Sequence, residues 1–223
     1  MITCTVYELR KYTLRPGTRE AFIELFETHL LDTQDATGMH VLGQFRDADR
    51  PDAFVWIRAF TDMERRRESL TAFYSGPVWA AHGAEANAMM IDSDDVLLLE
   101  PVDGGPGLAE QVGPRPPIGA TSDGTAEIDV VVCPLRPEDT NSYLERTGGV
   151  QQRLGGRALP SLQTLHTPNT FPQLPVHEDV HVAVTLTRFD EPPRRAAADE
   201  LDALAIGPVQ RMHLTPTPRS ALR

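Results

Sequence analysis

Residues His177-Glu178-Asp179-Val180-His181 spell H-E-x-x-H. On a helix this spacing sets two imidazoles one turn apart, where they share a zinc ion with the glutamate as general base. Here the motif follows Pro172 and Pro175 and runs into VHVAVTLTR, a loop entering a strand. Along a strand, positions i and i+4 stand roughly 13 Å apart, too far for one ion. The zinc-protease reading is therefore set aside. A metal held by His181 with His166, or with a loop-folded His177, has no support from spacing, so no metal site is assigned.

The other concentration of chemistry lies in two strand-like segments. Strand parity puts Val6, Glu8, Arg10, Tyr12 and Leu14 on one face of the first. It puts Phe54, Trp56, Arg58 and Phe60 on one face of another, with Val55, Ile57 and Ala59 opposite. A buried acid and a phenol can move protons, and an arginine can hold an enolate or carboxylate. Glu8, Tyr12, His166 and His181 are the candidate catalytic residues. Arg10, Phe54, Trp56, Arg58 and Phe60 are the candidate substrate-binding residues. The competing reading is a buried ion pair, Glu8–Arg10 or Glu8–Arg58, that only satisfies itself. His166 and His181 enter because both flank the proline-rich loop 168–178 and histidine is the natural base near neutrality. His29 reads as a core or interface histidine, and His213 as an exposed strand end.

Other chemistries lack their residues. No G-x-G-x-x-G, P-loop, G-x-S-x-G or C-x-x-C occurs, so no cofactor is assigned. Two cysteines, Cys4 and Cys133, are too few for a disulfide framework, and a reducing cytoplasm is expected. The formal charge of -11 disfavours nucleic acid as a partner. Glu64-Arg65-Arg66-Arg67-Glu68 reads as a solvated helix face, because acids flank its arginines. No apolar run approaches 18 residues, and the first residues lack the apolar stretch of a signal peptide, so no membrane partner is expected. The expected partner is a small-molecule substrate; pairing into a homodimer stays open.

The elements that must position these residues follow from periodicity. Strands are expected at 3–14, 39–46, 53–60 and 88–100, the last bulged at Ser93-Asp94. Helices are expected at 18–33, 62–73 and 78–86, the second capped by Thr61 with Glu64. This β-α-β-β-α-β order is the ferredoxin-like unit. Residues 103–124, dense in Pro and Gly, read as a linker. A second unit follows, with strands at 125–135, 157–166, 179–188 and 205–214 and helices at 137–153 and 193–203. Leu14-Arg15-Pro16-Gly17 is echoed by Leu135-Arg136-Pro137-Glu138, and Phe60-Thr61-Asp62 by Phe189-Asp190-Glu191. The expected fold class is α+β: two tandem ferredoxin-like domains, 1–102 and 125–223, whose sheets close into an intrachain barrel. The Glu8 and Trp56 faces are assigned to its interior, with Glu127, Asp129, Val131, Cys133, Ala183, Thr185 and Thr187 from the second half.

Tyr7-Glu8-Leu9-Arg10 with Tyr12, Leu14, Pro16 and Gly17 resembles the start of NIPSNAP family proteins. So do Gly43 with Phe45-Arg46, the Trp56 strand and Trp79. Asn169-Thr170-Phe171-Pro172 with Leu174-Pro175-Val176 is similar to a segment near the end of two-domain bacterial members. The resemblance implies the dimeric α/β barrel superfamily, which holds cofactor-free monooxygenases, cyclases, haem enzymes and stress-response proteins. It supplies no common catalytic set. The histidines of residues 177–181 depart from the family pattern.

The resulting expectation is a small-molecule enzyme of bacterial specialised metabolism. It would act in the barrel cavity by cofactor-independent oxygenation or by proton-transfer-driven cyclisation or rearrangement. The alternatives are a non-catalytic small-molecule binding or interaction module, and a haem- or metal-dependent member of the superfamily.

Overall fold

The computed structural model describes residues 3–105, 107–122, 125–191 and 203–223. The first half runs β1 (Val6–Leu14), α1 (Arg19–Leu25), a π-helical turn (Phe26–Leu30), α2 (Leu31–Ala36), β2 (His40–Asp47) and β3 (Ala53–Phe60). It continues with α3 (Met63–Tyr74), α4 (Pro77–Met89) and β4 (Met90–Pro101). Asp62, rather than Thr61, caps α3 by accepting from the Arg65 backbone N–H at 2.8 Å. Pro77 begins α4, where its missing N–H costs nothing. The β1–β4 register slips between Lys11 and Thr13, which oppose Asp95 and Asp92, so the extra β4 residue falls at the expected Ser93–Asp94 bulge.

The second half contains β5 (Glu127–Pro134), α5 (Thr140–Arg153), β6 (Arg157–Ala158), β7 (Leu162–Thr164), β8 (Val182–Phe189) and β9 (Gln210–Pro216). Pro160 sits between β6 and β7, so the expected strand 157–166 is two short pieces on one edge of β8. The helix expected at 193–203 falls almost entirely outside the described residues.

All pairings are antiparallel, and the strands run β5-β9-β2-β3-β1-β4-β7-β8, with β8 pairing back to β5. The sheet therefore closes into a barrel-like ring of eight staves. Each half has the same internal order: β2-β3-β1-β4 in the first, β7-β8-β5-β9 in the second. Two seams join the halves, β2 against β9 at Asp47↔Leu214 and β4 against β7 at Leu99↔Thr164. Leu108, from the Pro/Gly-rich segment, is fully buried in the barrel core. No helix among the described residues is long and apolar enough to cross a membrane.

One expectation is overturned by this closure. The barrel interior is filled by Leu9, Val55, Ile57, Ala59, Leu97, Ile128, Val130, Val132, Val184 and Leu186. Eight staves leave room for little more than their own side chains. The Glu8 and Trp56 faces point outward, under the helices, with Tyr12, Phe54, Trp56 and Phe60 packed on Phe22, Phe26, Leu70 and Phe73. In the second half Cys133 and Ala183 likewise pack outward, toward Tyr143 and Val150 of α5. The barrel-interior assignment was thus inverted throughout: the residues expected to line an internal cavity stand on the outer face.

Candidate functional site

Antiparallel register places Glu8 opposite Arg58, Arg10 opposite Trp56 and Tyr12 opposite Phe54. Side chains directly opposite stand close enough to touch. Glu8 pairs with Arg10 Nη1 at 2.7 Å and with Arg58 Nη2 at 2.7 Å. Its other oxygen, Oε1, lies 2.6 Å from Arg66 Nε of α3. Relative exposures of the four residues are 0% for Glu8, Arg58 and Arg66 and 1% for Arg10. Burial alone would raise the Glu8 pKa; the charges of Arg58, Arg10 and Arg66 outweigh it and hold the carboxyl well below the usual range. Glu8 is therefore a permanently ionised anchor, which makes it a poor proton shuttle.

Sequence reasoning missed Arg66, reading its charge run as a solvated face. Arg65 and Arg67 do pair with Glu68 and Glu64 at the surface. Arg66 is in phase with Leu70 and Phe73, the buried stripe of the same helix, and that phase was the available signal.

The anchored arginines stack on aromatic faces. The guanidinium carbon of Arg58 lies 5.0 Å from the Trp56 ring centre and 5.5 Å from that of Phe60. Arg10 lies 5.6 Å from both Tyr12 and Trp56. Arg10 Nε donates to the Tyr12 hydroxyl oxygen at 3.1 Å, which leaves that hydroxyl hydrogen free for another acceptor.

Beyond Arg10 opens a cleft of about 580 Å³ between the outer face of the sheet and the helices. Arg10, Tyr12, Tyr74, Trp79, Asn87 and Phe171 contribute to its walls. Aromatic walls with a few convergent polar groups are the usual form of a small-molecule site. A narrow annex of about 30 Å³ continues past Tyr12 and Tyr74 to Trp56, Phe22 and Phe26. The Trp56 Nε1–H donor has no hydrogen-bond partner among the described residues.

The second half supplies part of this wall. After β7 the chain leaves β4, crosses the cleft with Phe171, Gln173 and Leu174, and rejoins β4 where His177 N donates to Val96 O at 2.9 Å. Asn169 holds the crossing. Its Oδ1 accepts from Arg66 Nη1 at 2.9 Å and from Phe171 N at 3.0 Å, and its Nδ2 donates to Leu174 O at 2.8 Å.

The histidines lie elsewhere. His166 Nε2 and His181 Nδ1 are 2.9 Å apart, and His181 Nε2 is 2.9 Å from Thr140 Oγ1. Burial, then the neighbouring His166, lower the His181 pKa below that of a free imidazole. Neither ring lines the cleft. His177 reaches Asp95 at 3.1 Å, and His29 stacks on His82 at 3.9 Å. No group of three or more His, Cys, Asp or Glu among the described residues is arranged to hold a metal. Of the candidate site residues, Glu8, Arg10, Tyr12, Trp56 and Arg58 meet in one cluster, while Phe54 and Phe60 pack beside it. Only Arg10 and Tyr12 line the main cleft.

Comparison with curated proteins finds no match. Among solved structures, the chain resembles an anthrone oxidase-like protein at 16% identity and a TM-score of 0.60, over 98% of this chain and 94% of that one. It also resembles a candidate monooxygenase from Lactobacillus acidophilus NCFM at 13% identity and a TM-score of 0.56, over 98% and 97%. A third, from Fusobacterium nucleatum subsp. nucleatum ATCC 25586 and also named as a candidate monooxygenase, is 9% identical with a TM-score of 0.57, over 99% and 96%. At these identities the likeness is one of fold: an α/β barrel of the dimeric type, here closed within a single chain. The family model for NIPSNAP matches residues 7–106, so the first half of this chain is similar to a NIPSNAP domain.

Proposed function

We propose that this protein is a small-molecule enzyme whose substrate, a carbonyl-bearing or phenolic aromatic, lies in the cleft between sheet and helices. The observation that carries this reading is the pairing of two donors on one aromatic-walled cavity. Arg10 presents Nη2, which no described residue accepts from, and Tyr12 presents its hydroxyl hydrogen. Together they form an oxyanion-stabilising pair, pre-oriented by Glu8. Tyr74, its phenol pKa raised by burial, stays protonated in the opposite wall.

The favoured reaction is cofactor-independent oxygenation of an activated ring methylene. The substrate's proton goes to solvent, and the resulting enolate or phenolate is held by Arg10 and Tyr12. Dioxygen then delivers one oxygen atom to that carbon and leaves with the other as water, the substrate's two C–H bonds supplying the electrons. Proton-driven cyclisation of the same enolate is the related outcome. The anthrone oxidase-like name of one fold neighbour supports this chemistry. The equal strand order of the two halves supports reading them as tandem ferredoxin-like copies.

A second reading, a non-catalytic binding module, is favoured by one observation. Among the described residues no histidine lines the cleft, and its one carboxylate, Asp94, is exposed. Incubation with anthrones and naphthols, with and without oxygen, separates the two. Oxygen-dependent product that disappears in Arg10→Gln supports the enzyme. Tight binding with every compound unchanged supports the module.

A further inference from the structure

We infer that the cleft takes its ligand as an aromatic oxyanion, ionised already in free solution, rather than as a neutral carbonyl compound. This inference rests on the reading of the cleft as a small-molecule site, and it names the class of molecule. Two independent balances point to it.

The first is charge. Glu8 is the only carboxylate ion-paired to Arg10, Arg58 or Arg66 among the described residues, and all four are buried. Their other partners are neutral. Arg58 donates to Gln34 Oε1 at 3.2 Å, and Arg66 to Asn169 Oδ1 at 2.9 Å. Two positive charges are left in excess in the cluster, and Arg10 is its member that lines the cleft. Buried charge without a counter-charge is costly, and a bound anion removes that cost.

The second balance is hydrogen bonding. The unpartnered polar atoms around the cluster are donors: Trp56 Nε1 and Arg66 Nη2 are buried without a partner among the described residues. Arg10 Nη2, for which no described residue is an acceptor, adds a third; Arg10 lines the cleft and Trp56 its annex. A ligand rich in acceptors suits this set. Arg10 already spends Nε on Tyr12 and an N–H of Nη1 on Glu8, so Nη2 is the one terminal nitrogen with no described partner. That geometry fits one oxygen, either a phenolate or one arm of a carboxylate. The walls of Tyr74, Trp79 and Phe171 require the rest to be flat and apolar.

The test uses the full chain and two isosteres, 1-naphthoate and 1-naphthamide, titrated calorimetrically and by quenching of Trp56 and Trp79, the only two tryptophans. The charged contact should favour naphthoate by roughly 10- to 100-fold. Arg10→Gln should erase the preference, naphthoate affinity falling to the level of naphthamide. Equal affinity of the native protein for both overturns the oxyanion inference and leaves the cleft standing as a site. Failure of both to bind overturns the cleft reading itself. A second measurement needs no variant. 4-Nitrophenol, whose hydroxyl ionises near neutrality, should show a lowered apparent pKa when bound, read from its phenolate absorbance. An unchanged or raised value overturns the inference. Preference for nitrophenolate over naphthoate would mark the oxyanion as phenolic, and the reverse as a carboxylate.

Discussion

Arg66 Nη1 donates to Asn169 Oδ1 at 2.9 Å, so a helix of the first half holds a loop of the second across the cleft. The same guanidinium touches Glu8 through Nε at 2.6 Å. One side chain thus links the charged cluster beneath the cleft to the segment that roofs it.

Asn169→Ala removes the acceptor for Arg66 and Phe171 and the donor to Leu174. The expected cost is about 1–2 kcal/mol, mostly from donors left unmade. Amide exchange in residues 169–176 should rise, and naphthoate affinity should fall roughly threefold to tenfold as Phe171 and Leu174 loosen. Exchange mass spectrometry and calorimetry read the two effects separately.

Glu8→Gln leaves three buried guanidiniums with no carboxylate counter-charge among the described residues. Breaking a buried ionic cluster from one side costs about 3–5 kcal/mol. Glu64→Gln, which breaks an exposed helical pair, should leave the unfolding midpoint unchanged. Urea titration of both variants beside the native chain checks the contrast.

The depressed Glu8 pKa makes stability pH-dependent with a defined sign. A carboxyl whose pKa is lower folded than unfolded stabilises fully above its unfolded value, roughly 4.3. That contribution is lost as pH falls from there toward the folded value. The native urea midpoint should therefore decline steadily below about pH 4.5.

His181 carries the opposite kind of group with the same direction. Its imidazole pKa is lowered by burial and by His166, so the folded chain favours the neutral ring. Stability drawn from it is complete above the unfolded value, roughly 6.5, and is lost as pH falls toward the folded value. In a ring-proton titration by NMR, His181 should titrate below a free histidine, and His166→Ala should move it upward.

Burial raises the Cys4 thiol pKa to about 11, and Cys133 is buried as well. Neither should react with a thiol reagent at neutral pH in the native protein, and both should react after denaturation. Mass spectrometry of alkylated protein counts the modified sites.

Much of the architecture was legible in residue order. The strand-like segment at 6–14, the helix phased on Phe22, Leu25 and Phe26, the Gly76-Pro77 break and the Ser93–Asp94 bulge all follow from local chemistry. So did the sorting of Glu8, Arg10 and Tyr12 from Tyr7 and Leu9, because a strand alternates with period two. Which sorted face turned inward was not legible. Polar and aromatic residues were given to the barrel interior, yet that interior holds Val55, Ile57 and their apolar neighbours. Alternation separates two faces without saying which one meets the opposite sheet and which meets the helices.

The sequence by itself determined that Glu8, Arg10 and Tyr12 share one strand face and Trp56 and Arg58 another, since parity is a local rule, and the β-α-β-β-α-β order sets those two strands side by side. Only the tertiary structure decided that Arg66 completes their cluster and that Asn169 and Phe171 roof the cleft. Those contacts join positions about a hundred residues apart, 66 with 169, across the seam where β4 meets β7. They depend on ring closure, which residue order does not encode locally.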